Sequence, residues 1–295
     1  MSGRFLVLCS GQGGQHPGMF DLVRGHPAAA TLVPDSLDAA TLFDNQIAQP
    51  MLARSALATW AAVRDRLPEP DLCAGYSIGE LIAYGVAGAL DPAACVELAA
   101  QRATIMDACV TQPQGMLAVS DLDVAQVRRM AEEFGCMPAI VNDIDRCVVG
   151  GPAAGLDLLA AHAQEQGARC QRLRVNVASH TPLLAGAVMP FRAALEAAGM
   201  TAPDCPVIGG IDASRITRAD SSIDHLARQL AQPILWADCM DACAESGAEV
   251  ALELGPCPAL SAMLRTRHPH IACRASSEFR SLDGLVAWVR DALDA

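Results

Sequence analysis

A serine flanked by glycines is the first feature of this sequence that indicates chemistry. The segment Gly75-Tyr76-Ser77-Ile78-Gly79 matches the pattern G-x-S-x-G, in which the two glycines allow a tight turn from a strand into a helix. Such a turn pushes the serine hydroxyl out of the sheet, and the unpaired N–H groups at the start of the helix lie where an oxyanion would form. Because an apolar strand pattern precedes the motif and a helical pattern follows it, we predict that Ser77 is a nucleophile. An ordinary glycine-rich turn is the alternative.

A nucleophilic serine needs a base, and the chain has seven histidines. His180 stands out because it lies in the segment 177–182 (VASHTP), where a strand ends and the pair Thr181-Pro182 begins a helix. Sites in α/β sheets collect at such strand ends. His16, beside a glycine-rich loop near the N-terminus, is the rival candidate.

One arginine falls on the apolar face of a predicted helix. In the helix 91–109, apolar residues recur at helical spacing at Cys95, Leu98, Ile105 and Cys109. Arg102 lies on that same stripe, and a guanidinium that points inward needs an anionic partner. The partner is either an internal Asp or Glu, or the carboxylate of a substrate held by two parallel hydrogen bonds.

The loop Gly11-Gln12-Gly13-Gly14 follows the first predicted strand. Its first two glycines fit a dinucleotide-binding fingerprint, but His16 occupies the position of the third glycine. A loop whose backbone N–H groups point toward an anion fits the pattern better.

Composition excludes several classes of protein. The chain has 295 residues, 52% of them hydrophobic, and a formal net charge of −12, which argues against a general nucleic-acid binder. The twelve cysteines contain no C-x-x-C pair or Cys/His ligand cluster, and no apolar stretch is long enough for a signal-peptide core or a membrane span. We therefore expect a cytoplasmic protein with reduced thiols, no metal and no membrane segment.

The order of predicted elements indicates an α/β fold with a mainly parallel sheet. In residues 115–177 the order of predicted elements changes to β-α-β-β-α-β, which is the ferredoxin-like order. Its last predicted strand covers residues 169–177. We expect residues 1–114 and 178–295 to form a large hydrolase-like α/β domain and residues 115–177 an inserted ferredoxin-like subdomain.

Together these segments resemble the malonyl-CoA:acyl carrier protein transacylase family over nearly the whole chain. The resemblance rests on ordered motifs: Gly11-Gln12-Gly13, the segment 75–80 (GYSIGE), Gln101-Arg102, the segment 179–182 (SHTP), Arg228-Gln229-Leu230 with Pro233 and Trp236, and the segment 253–256 (ELGP). It implies a malonyl-serine intermediate, malonyl-CoA as substrate, no bound cofactor, and an acyl carrier protein with a phosphopantetheine-type arm as partner.

The resemblance also implies a role for individual residues. Ser77 would be the nucleophile, His180 its base, Arg102 the ligand of the malonyl carboxylate, Gln12 and Ile78 the N–H donors of the oxyanion hole, and Gln229 the residue whose main-chain carbonyl orients the imidazole. Gly11 and Gly13 would shape the oxyanion loop. Tyr76 stands where the fatty-acid enzymes usually have His, and Ser179 stands where malonyl-specific members usually have Phe. The smaller Ser179 puts strict rejection of methylmalonyl in doubt.

Within the family, two features are most similar to the acyltransferase (epsilon) subunit of bacterial malonate decarboxylase. They are Tyr76 in the elbow and the segment 276–284 (SSEFRSLDG). That subunit loads malonyl onto the prosthetic arm of a dedicated carrier subunit. A fatty-acid-synthesis malonyl transacylase is the alternative within the family.

Two further alternatives lie outside it. A thioesterase or other hydrolase with a Ser-His-Asp triad needs an acid between Ser77 and His180, where the sequence offers Asp143, Asp145 and Asp157. An inactive subunit that only binds a carrier protein is the other alternative, and the presence of Ser77, His180 and Arg102 argues against it.

An acidic carrier needs a basic patch on this acidic enzyme. The candidates are Arg265, Arg267 and His268 in one cluster and Arg169, Arg172 and Arg174 in another.

Overall fold

The computed structural model describes residues 3–295. The strands of these residues are β1 (Arg4–Cys9), β2 (Leu72–Gly75), β3 (Gln114–Ser120), β4 (Met137–Asp143), β5 (Arg146–Pro152), β6 (Arg169–Arg172), β7 (Val207–Ile208), β8 (Arg215–Ile216), β9 (Ile234–Leu235), β10 (Ala248–Leu254) and β11 (Ala272–Ala275). Their α-helices are α1 (Asn45–Val63), α2 (Ile78–Val86), α3 (Pro92–Asp107), α4 (Val124–Glu133), α5 (Ala153–Glu165), α6 (Ala185–Ala197), α7 (Ala219–Gln229), α8 (Trp236–Glu245), α9 (Ala259–Arg267) and α10 (Leu282–Leu293).

The larger sheet has six strands in the order β11-β10-β1-β2-β7-β8 and is parallel except for β8. Its central strand β1 is an unbroken apolar run because both faces of the sheet are covered. Alternate side chains enter two hydrophobic clusters: Phe5, Val7 and Cys9 enter one, and Leu6 and Leu8 enter the other. Helices α1, α2, α3, α6, α7 and α10 contribute to the first cluster, and α8 and α9 contribute to the second. This arrangement confirms the α/β class.

The register of the parallel strands brings three strand ends together. Cys9 at the end of β1 lies opposite both Gly75 at the end of β2 and Leu254 at the end of β10. The loops that follow these three strands therefore meet at one edge of the sheet, which is where α/β sheets bind ligands.

The smaller sheet has the order β6-β3-β5-β4-β9, with all pairs antiparallel except β4 and β9. Met116, Ile140 and Val148 face the same hydrophobic cluster as α8 and α9. The opposite face of the sheet packs against α4 and α5. One face of the small sheet thus lies over the edge where the three loops meet.

Most predicted elements are present with shifted ends, one predicted strand is shorter than expected, and two short strands had no prediction. The strand predicted over 169–177 ends at Arg172, after which the chain turns toward the segment that holds His180. The short strands β8 and β9 had no prediction, because two-residue strands have too little sequence to show a pattern. No helix in residues 3–295 has both the length and the apolar character needed to cross a membrane.

Candidate active site

Ser77 lies at a sharp turn between β2 and α2. Its φ is 60°, a left-handed value that a non-glycine residue rarely adopts, and its ψ is −116°. A Cβ on Gly75 would lie 2.1 Å from the carbonyl carbon of Gly79, and one on Gly79 would lie 2.0 Å from the carbonyl oxygen of Cys9. Neither position accepts a side chain. The spacing of the glycines therefore produces the strained turn that was predicted from the motif.

His180 meets Ser77 across the edge of the sheet. Its Nε2 lies 2.7 Å from the Ser77 Oγ. His180 is 1% exposed, has a φ of 63°, and donates its backbone N–H to the carbonyl of Leu230 at 2.9 Å. The imidazole is thus held by a strained and hydrogen-bonded backbone, which fixes its position relative to the hydroxyl.

The other ring nitrogen of His180 determines its tautomer. Nδ1 lies 2.6 Å from the main-chain carbonyl oxygen of Gln229. A carbonyl oxygen only accepts, so Nδ1 bears the proton and Nε2 presents a lone pair to the Ser77 hydroxyl. The arrangement gives Ser77 a neutral base that is oriented by a main-chain oxygen.

Burial keeps this imidazole neutral. Burial, together with a smaller effect of the positive charge of Arg102, lowers the pKa of His180 to about 3, and the hydrogen bond to the Gln229 carbonyl opposes the shift. No carboxylate of residues 3–295 is hydrogen-bonded to His180. The three acids proposed for a Ser-His-Asp triad lie elsewhere: Asp143 pairs with Arg267 at 3.0 Å, and Asp145 and Asp157 lie 3.8 and 3.7 Å from Arg146 and Arg172.

The loop after β1 lies against the elbow. A Cβ on Gly11 would be 2.7 Å from the carbonyl oxygen of Tyr76, so this glycine is needed for the close approach. Gly13 has a φ of 128° and donates its N–H to Gln15 Oε1 at 2.7 Å. Within residues 3–295 the backbone N–H groups of Gln12 and Ile78 donate to no other group. Both belong to segments that flank Ser77, which is the arrangement an oxyanion hole requires.

Arg102 is 1% exposed, as its place on the apolar stripe predicted. Its Nη1 donates to Gln49 Oε1 at 2.8 Å and its Nη2 donates to Gln229 Oε1 at 3.1 Å. Among residues 3–295 it forms no ion pair with an Asp or Glu. Burial lowers the pKa of Arg102 to about 10, and the charge of Glu80 opposes the shift. The guanidinium therefore stays charged near neutral pH and uses two of its five N–H donors on neutral amides.

A cavity of about 460 Å³ opens beside Ser77 and His180, between the two sheets. Its walls are mainly apolar and include Met116, Ile140, Val148, Leu260 and Met263. Arg102 does not line it, but the Gln229 side chain that contacts Arg102 also donates to the carbonyl of Ser77 at 3.3 Å. The guanidinium therefore lies one side chain away from the nucleophile.

Tyr76 and Ser179 both line this cavity. The Tyr76 hydroxyl donates to Asn142 Oδ1 at 3.1 Å, and the ring meets Trp236 edge-on at 5.3 Å between centroids. Burial raises the pKa of the Tyr76 phenol well above its usual range, so the hydroxyl stays protonated. Ser179 is 4% exposed. Both residues therefore shape the space around Ser77.

The structure separates His16 from Ser77 and gives several of the basic side chains considered for carrier binding partners within the chain. His16, the rival base, is exposed and its Nε2 lies 3.2 Å from the carbonyl of Pro256 rather than near Ser77. Within the first basic cluster, Arg267 and His268 both pair with Asp241, which neutralises much of its charge. In the second cluster Arg169 pairs with Asp121, and Arg174 lies 4.7 Å from the centre of the Phe43 ring.

Sequence reasoning missed two residues of the site, Gln49 and Glu80. Both are completely buried. Gln49 accepts a hydrogen bond from Arg102 directly, and Glu80 accepts one from Gln229, the other amide that holds Arg102. Gln49 lies in a long alanine-rich helix with no local signal. Glu80 was part of the recognised elbow segment, and an acidic residue in the first turn of a buried helix was an available signal.

Comparison with known proteins agrees with this geometry. Residues 21–270 match the family described as "Acyl transferase domain". The malonyl CoA-acyl carrier protein transacylase of Mycobacterium bovis is 30% identical over 297 aligned residues, covering 95% of this chain and 98% of that protein. The crystal structure of MCAT from Mycobacterium tuberculosis has a TM-score of 0.89 at 29% identity, covering 96% of this chain and 99% of that one. The malonyl-CoA:acyl carrier protein transacylase structure from Xanthomonas oryzae pv. oryzae gives 0.90 at 27% identity, with 98% and 99% covered. From its fold, its Ser-His pair and these matches, the chain belongs to the acyl transferase domain family and is an acyltransferase.

Proposed function

We propose that this enzyme transfers a malonyl group from coenzyme A to the thiol of an acyl carrier protein through a malonyl ester of Ser77. The observation that carries the proposal is the contact of Ser77 Oγ with His180 Nε2 at 2.7 Å, with Nδ1 anchored on a main-chain carbonyl. The names of the relatives, malonyl CoA-acyl carrier protein transacylases, support the choice of substrates.

The reaction has two matched halves. His180 Nε2 takes the hydroxyl proton while Ser77 Oγ attacks the thioester carbon, and the N–H groups of Gln12 and Ile78 stabilise the oxyanion. The C–S bond then breaks, and the proton on Nε2 passes to the departing thiolate of coenzyme A. In the second half the carrier thiol gives its proton to His180 and attacks the ester, and Ser77 leaves with that proton. The sequence of steps needs no bound cofactor.

Arg102 supplies selectivity for an acyl group that ends in a carboxylate. The hydrogen-bond partners of this buried guanidinium among residues 3–295 are neutral amides, so no carboxylate contacts it directly and a malonyl carboxylate can form charge-assisted hydrogen bonds with it. The supporting residues form the loop, the cavity wall and the anchor described above: Gly11, Gly13, Tyr76, Ser179 and Gln229.

A hydrolase is less well supported. A Ser-His-Asp enzyme places a carboxylate on Nδ1, whereas here that nitrogen meets the carbonyl of Gln229. A buried arginine beside the nucleophile also has no role in a general esterase. An inactive carrier-binding subunit leaves the strained turn at Ser77 unexplained.

Two acceptors are candidates. Tyr76 and the segment 276–284 favour the carrier subunit of malonate decarboxylase, so that the enzyme would prime a decarboxylation cycle. The names of the relatives favour an acyl carrier protein, which is the acceptor in the alternative of a fatty-acid-synthesis transacylase. We propose the malonate decarboxylase carrier as the narrower assignment.

The two sheets support the domain division expected from the sequence. The parallel sheet fits a hydrolase-like domain formed by residues 1–114 and 178–295. The antiparallel order β6-β3-β5-β4 fits a ferredoxin-like subdomain formed by residues 115–177. Strand β9 is an addition to the small sheet from outside that range.

The test is a transfer assay with purified components. The enzyme is incubated with radiolabelled malonyl-CoA and either a phosphopantetheine-bearing carrier or a carrier with a phosphoribosyl-dephospho-CoA arm. Label should move to a carrier much faster than free malonate appears. If the acceptor is the malonate decarboxylase carrier, label should move faster to the carrier with the phosphoribosyl-dephospho-CoA arm than to the phosphopantetheine-bearing carrier. Release of malonate as fast as transfer would instead support the hydrolase.

A further inference from the structure

Glu80 is a fully buried carboxylate for which the reaction above has no use. It lies three residues after Ser77, in the first turn of α2, and is 0% exposed. Its Oε2 accepts from Gln229 Nε2 at 2.5 Å and from the backbone N–H of Gly210 at 3.0 Å. Its Oε1 is buried and has no hydrogen-bond partner among residues 3–295. Burying a carboxylate in this way is costly, which calls for a compensating role.

Gln229 connects Glu80 to the rest of the site. Its main-chain oxygen accepts from His180, its Oε1 accepts from Arg102, and its Nε2 donates to Glu80 and to the Ser77 carbonyl. The orientation of this amide follows from its partners, because a guanidinium only donates and a carbonyl only accepts. One residue therefore holds both the base and the candidate carboxylate ligand, and Glu80 holds that residue.

Glu80 is also the indirect counter-charge of Arg102. The two charged groups lie on opposite ends of the Gln229 amide and do not contact each other. A direct ion pair would occupy the guanidinium donors, whereas the intervening amide leaves the remaining donors available. The other titratable or charged groups that face Glu80 are Tyr84, His225 and Cys239.

We infer that Glu80 is a positioning residue that acts through Gln229, fixing the carbonyl that orients His180 and the amide that orients Arg102. This inference rests on the proposed function, since it concerns the same reaction. The inference requires that an acceptor oxygen lies at the position of Oε2, within hydrogen-bonding distance of Gln229, whether or not that oxygen carries a charge.

Two substitutions of Glu80 separate the position of its acceptor oxygen from its negative charge. Glu80→Asp keeps the carboxylate but withdraws it by one methylene from Gln229. Glu80→Gln keeps an oxygen at the position of Oε2 and removes the charge. We expect Glu80→Asp to lower kcat/KM for Ser77 malonylation by about 10- to 100-fold, because small displacements of catalytic groups have effects of this size. The value of kcat should fall because His180 is displaced, and KM should rise because Arg102 is displaced. The single substitution Glu80→Gln should leave kcat/KM within about fivefold of the wild-type value.

A double-mutant cycle tests whether the effect passes through Gln229. Gln229→Met removes the side-chain hydrogen bonds and keeps the main-chain carbonyl. If Glu80 acts through Gln229, Glu80→Asp should lower kcat/KM by less than about twofold in the Gln229→Met background. Ser222→Ala is the matched control, since it removes a buried hydroxyl from the same helix α7 that donates to the carbonyl of Arg218 rather than to Gln229 or Glu80.

The rate of malonyl-serine formation, followed by quenched-flow intact mass, is the readout for every variant. The inference is overturned if Glu80→Asp matches wild type, if Glu80→Gln is as impaired as Glu80→Asp, or if the losses in the cycle multiply independently. A wild-type enzyme that forms no malonyl-serine would refute the proposed function instead, so the two failures are distinguishable.

Discussion

The unusual acidity of His180 predicts that acylation stays fast at low pH. Burial and the charge of Arg102 lower the pKa of His180 to about 3, so the free imidazole is the base over the whole working range. At pH 5 a histidine with the ordinary pKa of about 6.5 is only about 3% neutral, whereas one with a pKa of about 3 is about 99% neutral. The two cases differ by about thirtyfold in active base.

The assay is the rate of Ser77 malonylation at subsaturating malonyl-CoA, measured between pH 5 and 8 at constant ionic strength. This kcat/KM reports groups of the free enzyme. We expect it to change by less than about threefold. Glu80, whose pKa burial raises to about 7, titrates in the same window, so Glu80→Gln is measured in parallel to remove its contribution.

Circular dichroism at each pH checks that the protein remains folded. The folded state keeps His180 neutral while the unfolded chain binds a proton below about pH 6.5, so this group lowers the free energy of unfolding as the pH falls. A fall in kcat/KM of about thirtyfold by pH 5, with a midpoint near pH 6.5 in both wild type and Glu80→Gln, would refute the reasoning.

Four further predictions follow from the site. Arg102→Ala should lower kcat/KM for malonyl-CoA by about a hundredfold or more, because charge-assisted hydrogen bonds contribute about 1.5–3 kcal/mol each, and leave acetyl-CoA turnover largely unaffected; equal losses with both thioesters would contradict a carboxylate-binding role. Gly11→Ala should slow acylation by about a hundredfold, because its Cβ would displace the oxyanion loop from Tyr76, while Gly186→Ala, whose Cβ would meet only the Cys109 sulfur at 3.5 Å, should not. Wild type should accept methylmalonyl-CoA, and Ser179→Phe should reduce methylmalonyl transfer more than malonyl transfer in a competition assay; rejection of methylmalonyl-CoA by wild type would remove Ser179 as a determinant. Burial raises the pKa of Glu80 to about 7, so its contribution to the free energy of unfolding is fully present below about pH 4.5 and is lost as the pH rises through 7. The stability of Glu80→Gln relative to wild type should therefore increase between pH 5 and pH 8, by on the order of 3 kcal/mol at most. A difference in Tm that does not depend on pH would contradict the shift.

The parts of the site that follow from local geometry could be read from the sequence. The elbow depends on two glycines at fixed spacing from Ser77, and the short contacts at Gly75 and Gly79 explain why no other residue fits. The burial of Arg102 followed from helical periodicity alone. His180 was selected because a strand was predicted to end beside it, but that strand ends at Arg172. Its distance from Ser77 is a property of the folded chain, since 103 positions separate the two residues.

The network around Arg102 could not be predicted in the same way. Gln49, Glu80 and Gln229 come from three helices, and nothing local in the sequence links them. Hydrogen bonds between residues far apart in sequence depend on tertiary packing. For the same reason the sequence left open whether Arg102 meets an internal carboxylate or a substrate. In the folded chain the internal carboxylate, Glu80, reaches Arg102 only through the Gln229 amide, and the substrate remains the proposed direct partner.

The most direct test of the account is the mass of the enzyme after incubation with malonyl-CoA in the absence of any carrier. The account predicts one added malonyl group on wild type, mapped to Ser77 by peptide analysis, absent in Ser77→Ala and strongly reduced in Arg102→Ala. An adduct that persists in Ser77→Ala, or no adduct on wild type, would contradict the claim that Ser77 carries the malonyl group.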